Sequence, residues 1–365
     1  MALRVVMAAG GTGGHVYPGI AVARALIARA PDATVSFVGT ARGIESRVMP
    51  REGFELDLLR SAGLKGKSIV DRVRAAALIP LGLLDAWRIV SKRRPDIVIG
   101  VGGYSSGPIV LVAALRRVKT MVISPDAVPG MANRLLAPFV DAAAINFESS
   151  AAYFGSKAFV SGHPIRPEFL AAVGSSQESA LDDQTSITQV LVFGGSQGAH
   201  AINVAMVEAA PRLAAGGPHL RLTHQTGERD VEMVRSGYRA AGLQADVEPF
   251  LDDMGRRLNE ADVVVCRAGA TTLAELTAAG RAAILVPLPT AADDHQRKNA
   301  EALAASGAAE VLLQRDLTGA ALAERVIALA TDRGRRRRMA AAAKSLARPD
   351  AAQIIVDRAI ALVKR

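Results

Sequence analysis

The feature that most constrains this chain is a glycine-rich turn met three times in one setting. A short apolar run leads into Ala9-Gly-Gly-Thr-Gly-Gly-His15, into Gly102-Gly-Tyr-Ser-Ser-Gly-Pro108 and into Gly194-Gly-Ser-Gln-Gly-Ala199, and a helical pattern follows each time. A strand handed to a helix through glycines is how successive βαβ units of a parallel sheet read. With no Cβ in the way, the backbone N–H groups at such a helix start are open to an anion, and the helix dipole favours one there. Tight βα turns also need glycine for their own geometry, so it is the recurrence that points to phosphate binding.

The remaining pattern agrees with an α/β chain. Strands are expected at Leu3–Ala8, 34–38, 97–101, 120–123 and 142–145 in the first half. The second half offers 189–193, 221–223, 247–250, 263–266, 283–287 and 310–313. At 365 residues the chain exceeds one compact core, and a prior of roughly 150 residues per domain gives two. Two prolines and a glycine punctuate Ser161-Gly-His-Pro-Ile-Arg-Pro167, so the boundary is expected near Pro164, with domains at 1–163 and 164–344. The polar stretch Gly174 to Thr188 reads as a surface loop, and a closing helix at about 345–365 could cross back to the first domain.

Several classes drop out. The single cysteine, Cys266, cannot form an intramolecular bridge and lies in an apolar run as a buried strand thiol, which fits a reducing compartment. The opening residues run straight into a glycine loop, as a first strand does and a signal peptide does not. No run is long and apolar enough to span a bilayer.

The net charge of +9 favours anionic partners. Basic residues cluster at Lys65, Lys67, Arg72, Arg74, Arg88, Lys92, Arg93 and Arg94, interleaved with Ile69, Val70, Leu78, Ile79, Leu81, Leu83, Leu84 and Trp87. Segment 65–94 is either a basic helix resting its apolar face on an anionic membrane or a packing helix with a solvated basic end. Nucleic acid is not expected, because apart from Trp87 no aromatic residue clusters with these cations as a stacking platform would require.

Familiar nucleotide motifs fail. Val16 stands where a dinucleotide fingerprint begun at Gly11 needs its third glycine, and Gly63-Leu-Lys-Gly-Lys-Ser68 is too short for a P-loop. No Asp-x-Asp triplet occurs, so no metal ligands and no cofactor are expected, and helix dipoles with Arg or Ser donors must meet a leaving diphosphate. In the second half, Arg267-Ala-Gly-Ala-Thr-Thr-Leu-Ala-Glu-Leu276 opens a helix with Glu275 placed to accept two ribose hydroxyls. Asp293-Asp-His-Gln-Arg-Lys-Asn-Ala300 then sets His295, Gln296 and Asn299 on about one turn, suited to sugar hydroxyls.

Taken in order, Gly10 to Pro18, Gly102 to Pro108, Gly162 to Arg166, Gly194 to Ala199 with Asn203, Phe250 to Met254, Arg267 to Glu275 and His295-Gln-x-x-Asn299 resemble the MurG family. These are GT-B glycosyltransferases that move N-acetylglucosamine (GlcNAc) from UDP-GlcNAc onto lipid I in peptidoglycan synthesis. The match covers nearly the whole chain, from Gly10 to about Leu303, in seven blocks. It implies two Rossmann-like domains facing a central cleft and a peripheral enzyme on the cytoplasmic face of the cell membrane.

It also implies roles by position. Thr12, Gly13, Gly14 and Arg166 would lie near the donor's GlcNAc and phosphates, Ser196 on the pyrophosphate, and the Leu251 backbone against uracil. Ala270, Thr271, Thr272, Leu273, Ala274 and Glu275 would cradle diphosphate and ribose, with His295 and Gln296 reading GlcNAc hydroxyls and Asn299 beside them. His15 would stand at the reacting centre as general base, or as a neutral hydrogen-bond donor if the helix start disfavours its imidazolium.

The chain departs from the family at one block. Where His-Glu-Gln-Asn precedes Ala-Val-x-Gly, it reads Ile123-Ser-Pro-Asp126 before Ala127-Val-Pro-Gly130, and Asp126 is expected to supply the acceptor-side carboxylate. The altered block leaves open a transferase or epimerase with another acceptor, and a catalytically silent binder of UDP-sugar or lipid.

Overall fold

The computed structural model describes residues 2–61, 69–166, 169, 187–195, 197–216 and 219–364, with no side-chain description for 69–77 and 216. Lys65, Lys67, Ser196 and most of the 174–188 stretch lie outside these residues, as do the side chains of Arg72 and Arg74. The chain forms two compact units, Met1–Arg166 with Arg348–Arg365, and Pro167–Ala347.

In the first unit the strands are β1 (Arg4–Ala9), β2 (Thr34–Gly39), β3 (Glu55–Leu58), β4 (Ile97–Gly102), β5 (Lys119–Ser124), β6 (Ala142–Ile145) and β7 (Ala158–Val160). They make a parallel sheet in the order β3-β2-β1-β4-β5-β6-β7. Strands β1, β4 and β6 are almost wholly buried, the continuous apolar runs of a sheet covered on both faces.

Helix α1 (Gly13–Arg29) presents Val16, Ile20, Ala23 and Leu26 at helical spacing to one face. On that face it is joined by the C-terminal helix Ala351–Val363, whose Ile355, Val356, Ala359 and Leu362 share its core. The short helix α2 (Glu45–Arg51) follows β2, and helices α3 (Ile69–Arg93) and α4 (Ser106–Leu115) cover the other face through Ala86, Ile89, Val90, Ile109, Val110 and Ala113.

The second unit holds β8 (Thr188–Phe193), β9 (Leu220–Gln225), β10 (Ala245–Glu248), β11 (Val263–Cys266), β12 (Ala282–Leu285) and β13 (Glu310–Val311). Their parallel order is β10-β9-β8-β11-β12-β13. Its core gathers Val190, Val192, Ile202, Met206, Val234, Val263, Val265 and Leu322.

The eleven expected strands correspond to strands here, but two more exist, most ends shift by a residue or two, and the expectations 247–250, 283–287 and 310–313 each run two residues past strands that end at Glu248, Leu285 and Val311. Strand β3 reads Glu-Leu-Asp-Leu at a sheet edge, held by Arg93 pairing with Glu55 and Asp57 and by Lys92 pairing with Asp57, so its charges hid it. Strand β7 is three residues, too short for a pattern. Phe250 lies beyond β10, which ends at Glu248, and its ring is half exposed, so the 247–250 expectation ran past the strand.

Candidate functional site

Both sheets reverse their strand order once, between β1 and β4 in the first unit and between β8 and β11 in the second. In open parallel sheets the crevice beyond the carboxyl ends of such a pair is where ligands sit, because the flanking loops diverge there. All three glycine loops follow these strands.

In the first unit, Thr12 precedes α1 in an extended conformation without capping it, so the first N–H groups of the helix are left for an outside acceptor. The loop is fixed from behind by Glu45, fully buried, which accepts hydrogen bonds from Gly11 N (2.9 Å), Thr40 N (2.8 Å) and Thr40 Oγ1 (3.1 Å). A Cβ on Gly10, Gly39 or Gly43 would come within 2.8, 2.3 and 2.0 Å of that side chain, so three glycines of the sequence make room for one carboxylate. Gly103 (φ +82°) lies so close that a methyl there would sit 2.0 Å from Gly10 O, which locks the β1 and β4 loops together. Ser106 Oγ accepts from Gly102 N (3.0 Å) and donates to Ala8 O (2.9 Å) or Gly102 O (3.0 Å), tying α4 to both strand ends.

His15 is half buried, its Nδ1 3.2 Å from Thr12 Oγ1. Its ring edge lies over Gly102, where a Cβ would meet Cδ2 at 2.4 Å. The fully buried His163 is its electrostatic neighbour: burial first, and the charge His15 can carry second, push the His163 pKa down to about 3. Arg166 stacks its guanidinium over the Tyr17 ring at 5.6 Å, and that ring faces Gly13. Thr12, Gly13, Gly14, His15 and Arg166 are therefore one neighbourhood.

Asp126 follows β5, two strands from β1 and so about 10 Å of backbone away. Its block is held by the side chains that follow: Asn133 Nδ2 donates to Ile123 O (3.0 Å), Asn146 Nδ2 to Pro125 O (3.2 Å) and Ser150 Oγ to Asp126 O (2.8 Å). The Asp126 side chain is half buried.

In the second unit the loop after β8 is gripped by the end of β9. Gly198 (φ +73°) leaves no room for a methyl, which would lie 1.8 Å from Thr226 O, and one on Gly227 would lie 2.4 Å from Gln197 O. Gln225, buried, donates from Nε2 to Gly195 O (2.8 Å) and accepts at Oε1 from Leu251 N (3.0 Å). Behind it Asn203 donates to Thr226 O and Asp230 Oδ2 (2.9 Å each) and accepts from His224 Nε2 (3.0 Å), while His224 Nδ1 meets Tyr238 OH at 2.7 Å. That pattern makes the imidazole a neutral Nε2–H tautomer, in keeping with burial pushing its pKa down to about 3. Burial works against the Asp230 charge, but hydrogen bonds from His200 and Asn203 outweigh it and hold the carboxyl below its ordinary range.

Beside it, the loop after β11 opens the helix Ala270–Ala279, whose N-cap Gly269 adds no side-chain cap, so the N–H groups of Ala270, Thr271 and Thr272 face outward from the helix start. Leu273 is buried and Ala274 half buried; Glu275, also buried, lies close enough to Cys266 for its charge to add to burial in pushing that thiol up to about 12. Cys266 is thus an inert strand thiol. Gln296 Oε1 accepts from Ala268 N (3.2 Å) and Leu288 N (3.0 Å), and the buried Asn299 donates to Ala268 O (3.3 Å). These bonds fasten the helix His295–Ala305 to the loop before Ala270, bringing His295, Gln296, Asn299 and 270–275 together. His295 sits half buried at that helix start with Nδ1 2.6 Å from Ala292 O. Arg267 is a clamp: its buried guanidinium donates to Val286 O (3.0 Å), Pro287 O (3.2 Å) and Gln314 Oε1 (2.8 Å).

Sequence reasoning missed Glu45, His163, Gln225 and the chain Asp230–Asn203–His224–Tyr238. Glycines converging on one carboxylate are invisible without the fold. His163 and Asn203 stood inside noted motifs, and that was their only signal. No group of three or more His, Cys, Asp or Glu side chains suited to a metal ion occurs among the described residues.

Two parallel-sheet units, each with glycine loops at its strand-order reversal, define a class of two-domain α/β proteins that bind a ligand beyond the strand ends. Residues 5–145 match the glycosyltransferase family 28 N-terminal domain and residues 189–355 its C-terminal domain, and the chain belongs to this family. It is 48% identical over 366 residues, covering 100% of this chain and 94% of the relative, to the UDP-N-acetylglucosamine--N-acetylmuramyl-(pentapeptide) pyrophosphoryl-undecaprenol N-acetylglucosamine transferase of Anaeromyxobacter sp. (strain Fw109-5). To the same-named protein of Geobacter sulfurreducens it is 43% identical over 364 residues, with 100% of each chain covered. The crystal structure of MurG from Acinetobacter baumannii superposes with a TM-score of 0.82 at 31% identity, over 98% of this chain and 99% of that one. The GT-B fold follows. The UDP-GlcNAc 2-epimerase of Neisseria meningitidis shares that fold at a TM-score of 0.68 and 13% identity, over 99% and 100% of the two chains.

Proposed function

We propose that this chain transfers GlcNAc, with inversion, from UDP-GlcNAc to undecaprenyl-pyrophosphoryl-MurNAc-pentapeptide (lipid I), giving lipid II for peptidoglycan synthesis. The observation that carries the reading is that the second unit sets two glycine-loop helix starts, at His200 and at Ala270, side by side at one strand-order reversal, the one at Ala270 without a side-chain cap, in a chain 43–48% identical to transferases bearing that name. The diphosphate lies on the loop after β8, with Ser196, and on Ala270 to Thr272. Glu275 takes the ribose, Leu251 the uracil and His295 with Gln296 the GlcNAc hydroxyls.

In the first unit His15 receives the proton of the acceptor hydroxyl as its oxygen bonds to the anomeric carbon. The bond from that carbon to the UDP oxygen breaks, and its electron pair leaves with UDP. Helix N-termini and Arg166, in place of a divalent cation, meet the charge that develops. Asp126 supplies the acceptor-side carboxylate.

The test is the full-length chain with labelled UDP-GlcNAc and a short-chain lipid I analogue, with and without chelator. Coupled product that survives chelation supports the reading, and Asp126→Ala should lower turnover at least tenfold. UDP binding without turnover, or an epimer in place of a glycoside, overturns it.

A second observation supports peripheral residence at the cytoplasmic face of the cell membrane. Ile79, Leu84 and Trp87 on α3, Leu115 on α4 and Leu135 on the helix Met131–Leu136 are all exposed, among Arg88, Arg116, Arg117 and Arg134. Arg116 also stacks on Trp87 at 4.6 Å. No helix among the described residues is long and apolar enough to cross a membrane, so this face would rest on anionic lipid. Trp87→Ser together with Leu84→Ser should lower co-sedimentation with anionic vesicles severalfold and leave the turnover of a soluble acceptor analogue unchanged.

A further inference from the structure

Gln225 belongs to neither binding loop, yet touches both. It is the last residue of β9, 2% exposed, with its amide oriented by two backbone groups of opposite kind: Gly195 O takes its Nε2–H at 2.8 Å and Leu251 N gives to its Oε1 at 3.0 Å. Gly195 stands beside Ser196 in the loop assigned to the diphosphate, and Leu251 is the residue assigned to uracil. The adjoining residues reinforce the grip, since Thr226 N donates to Glu248 O (3.0 Å) and Gly227 N to Pro249 O (3.1 Å).

A ligand that uses two subsites gains from both only when their separation is fixed before binding; otherwise ordering the loops is charged against its affinity. The two hydrogen bonds of this one amide join the loop 194–199 to the turn 250–253. We propose that Gln225 is a positioning residue that sets the distance between the diphosphate loop and the uracil-side turn, and so selects uridine diphosphates as a unit over either half alone. This rests on the donor-site reading above.

Calorimetry on the full-length chain with UDP and with uridine tests it, together with steady-state kinetics. Gln225→Leu removes both bonds and should weaken UDP about tenfold while uridine changes less than threefold. KM for UDP-GlcNAc should rise by a similar factor with kcat and acceptor KM within twofold. Gln225→Glu keeps the acceptor and loses the donor at neutral pH; protonating its carboxyl restores a donor to Gly195 O, so the ratio of its UDP affinity to that of wild type at the same pH should rise toward one between pH 7 and pH 5. Wild-type binding matched by both variants within twofold overturns the Gln225 role alone. Equal losses for UDP, uridine and acceptor with no recovery in acid overturn it too, by showing a general structural defect. A wild type without UDP affinity overturns the donor-site reading and this inference with it.

Discussion

The two units hold their first glycine loops by different chemistry. In the first, the loop after β1 leans on the buried side chain of Glu45, an acidic group that consumes the Gly11 N–H. In the second, the loop after β8 is held by a neutral amide, Gln225, and by backbone contact with Thr226 and Gly227. A carboxylate bonded directly to the loop opposes the dipole that would attract an anion, whereas the amide of Gln225 adds no charge of its own to the loop it holds. The difference fits the proposed reading, in which the second unit takes the diphosphate and the first, with His15 over Gly102, takes the hydroxyl that must lose a proton.

The strongest way to break this contrast is to crowd the backbone contacts. Gly198→Ala in the second unit and Gly103→Ala in the first each place a methyl 1.8 or 2.0 Å from a carbonyl oxygen at positive φ, and each should cost about 4 kcal/mol. Gly198→Ala should abolish UDP binding in calorimetry and Gly103→Ala should spare it. If both variants melt like the wild type, the clamps are not what fixes the loops.

Acidification probes both units at once, through His163 in the first and His224 in the second. Each has a folded pKa of about 3 against an ordinary 6.5, so the unfolded chain binds the proton first. Their contribution is intact above pH 6.5 and is lost as pH falls from there toward 3, the loss reaching roughly 3 kcal/mol per histidine by about pH 4. Hydrogen exchange read separately over each unit should show both weakening in this window, and His224→Gln should flatten the slope in the second unit only.

Glu45→Ala leaves the partly buried Gly11 N and Thr40 N without this acceptor and should destabilise the first unit by about 2 kcal/mol, with UDP affinity within twofold of wild type. A large loss of UDP affinity would erase the distinction between the loops. The smallest effects belong to Gly11→Ala and Gly195→Ala, where positive φ is the only obstacle and a Cβ meets nothing within 4 Å. About 1 kcal/mol of stability is expected at each, measurable by denaturant titration.

What the sequence determined by itself is everything local. Apolar runs ending on glycine fixed the strand-to-helix units, and from them the parallel sheets, because side-chain period and the absence of Cβ act over a few residues. The motif 267–275 and the turn 295–299 were legible for the same reason. Tertiary structure decided what depends on distant partners. Strand β3 exists because Arg93 and Lys92, some 35 residues on, neutralise its carboxylates. The C-terminal helix joins the first unit because Ile355 and Val356 find the face of α1, a choice no local pattern encodes. Glu45 and Gln225 became site residues only when the fold carried Gly11, Gly195 and Leu251 to them, since a hydrogen bond needs its partner within about 3 Å and sequence separation says nothing of that distance.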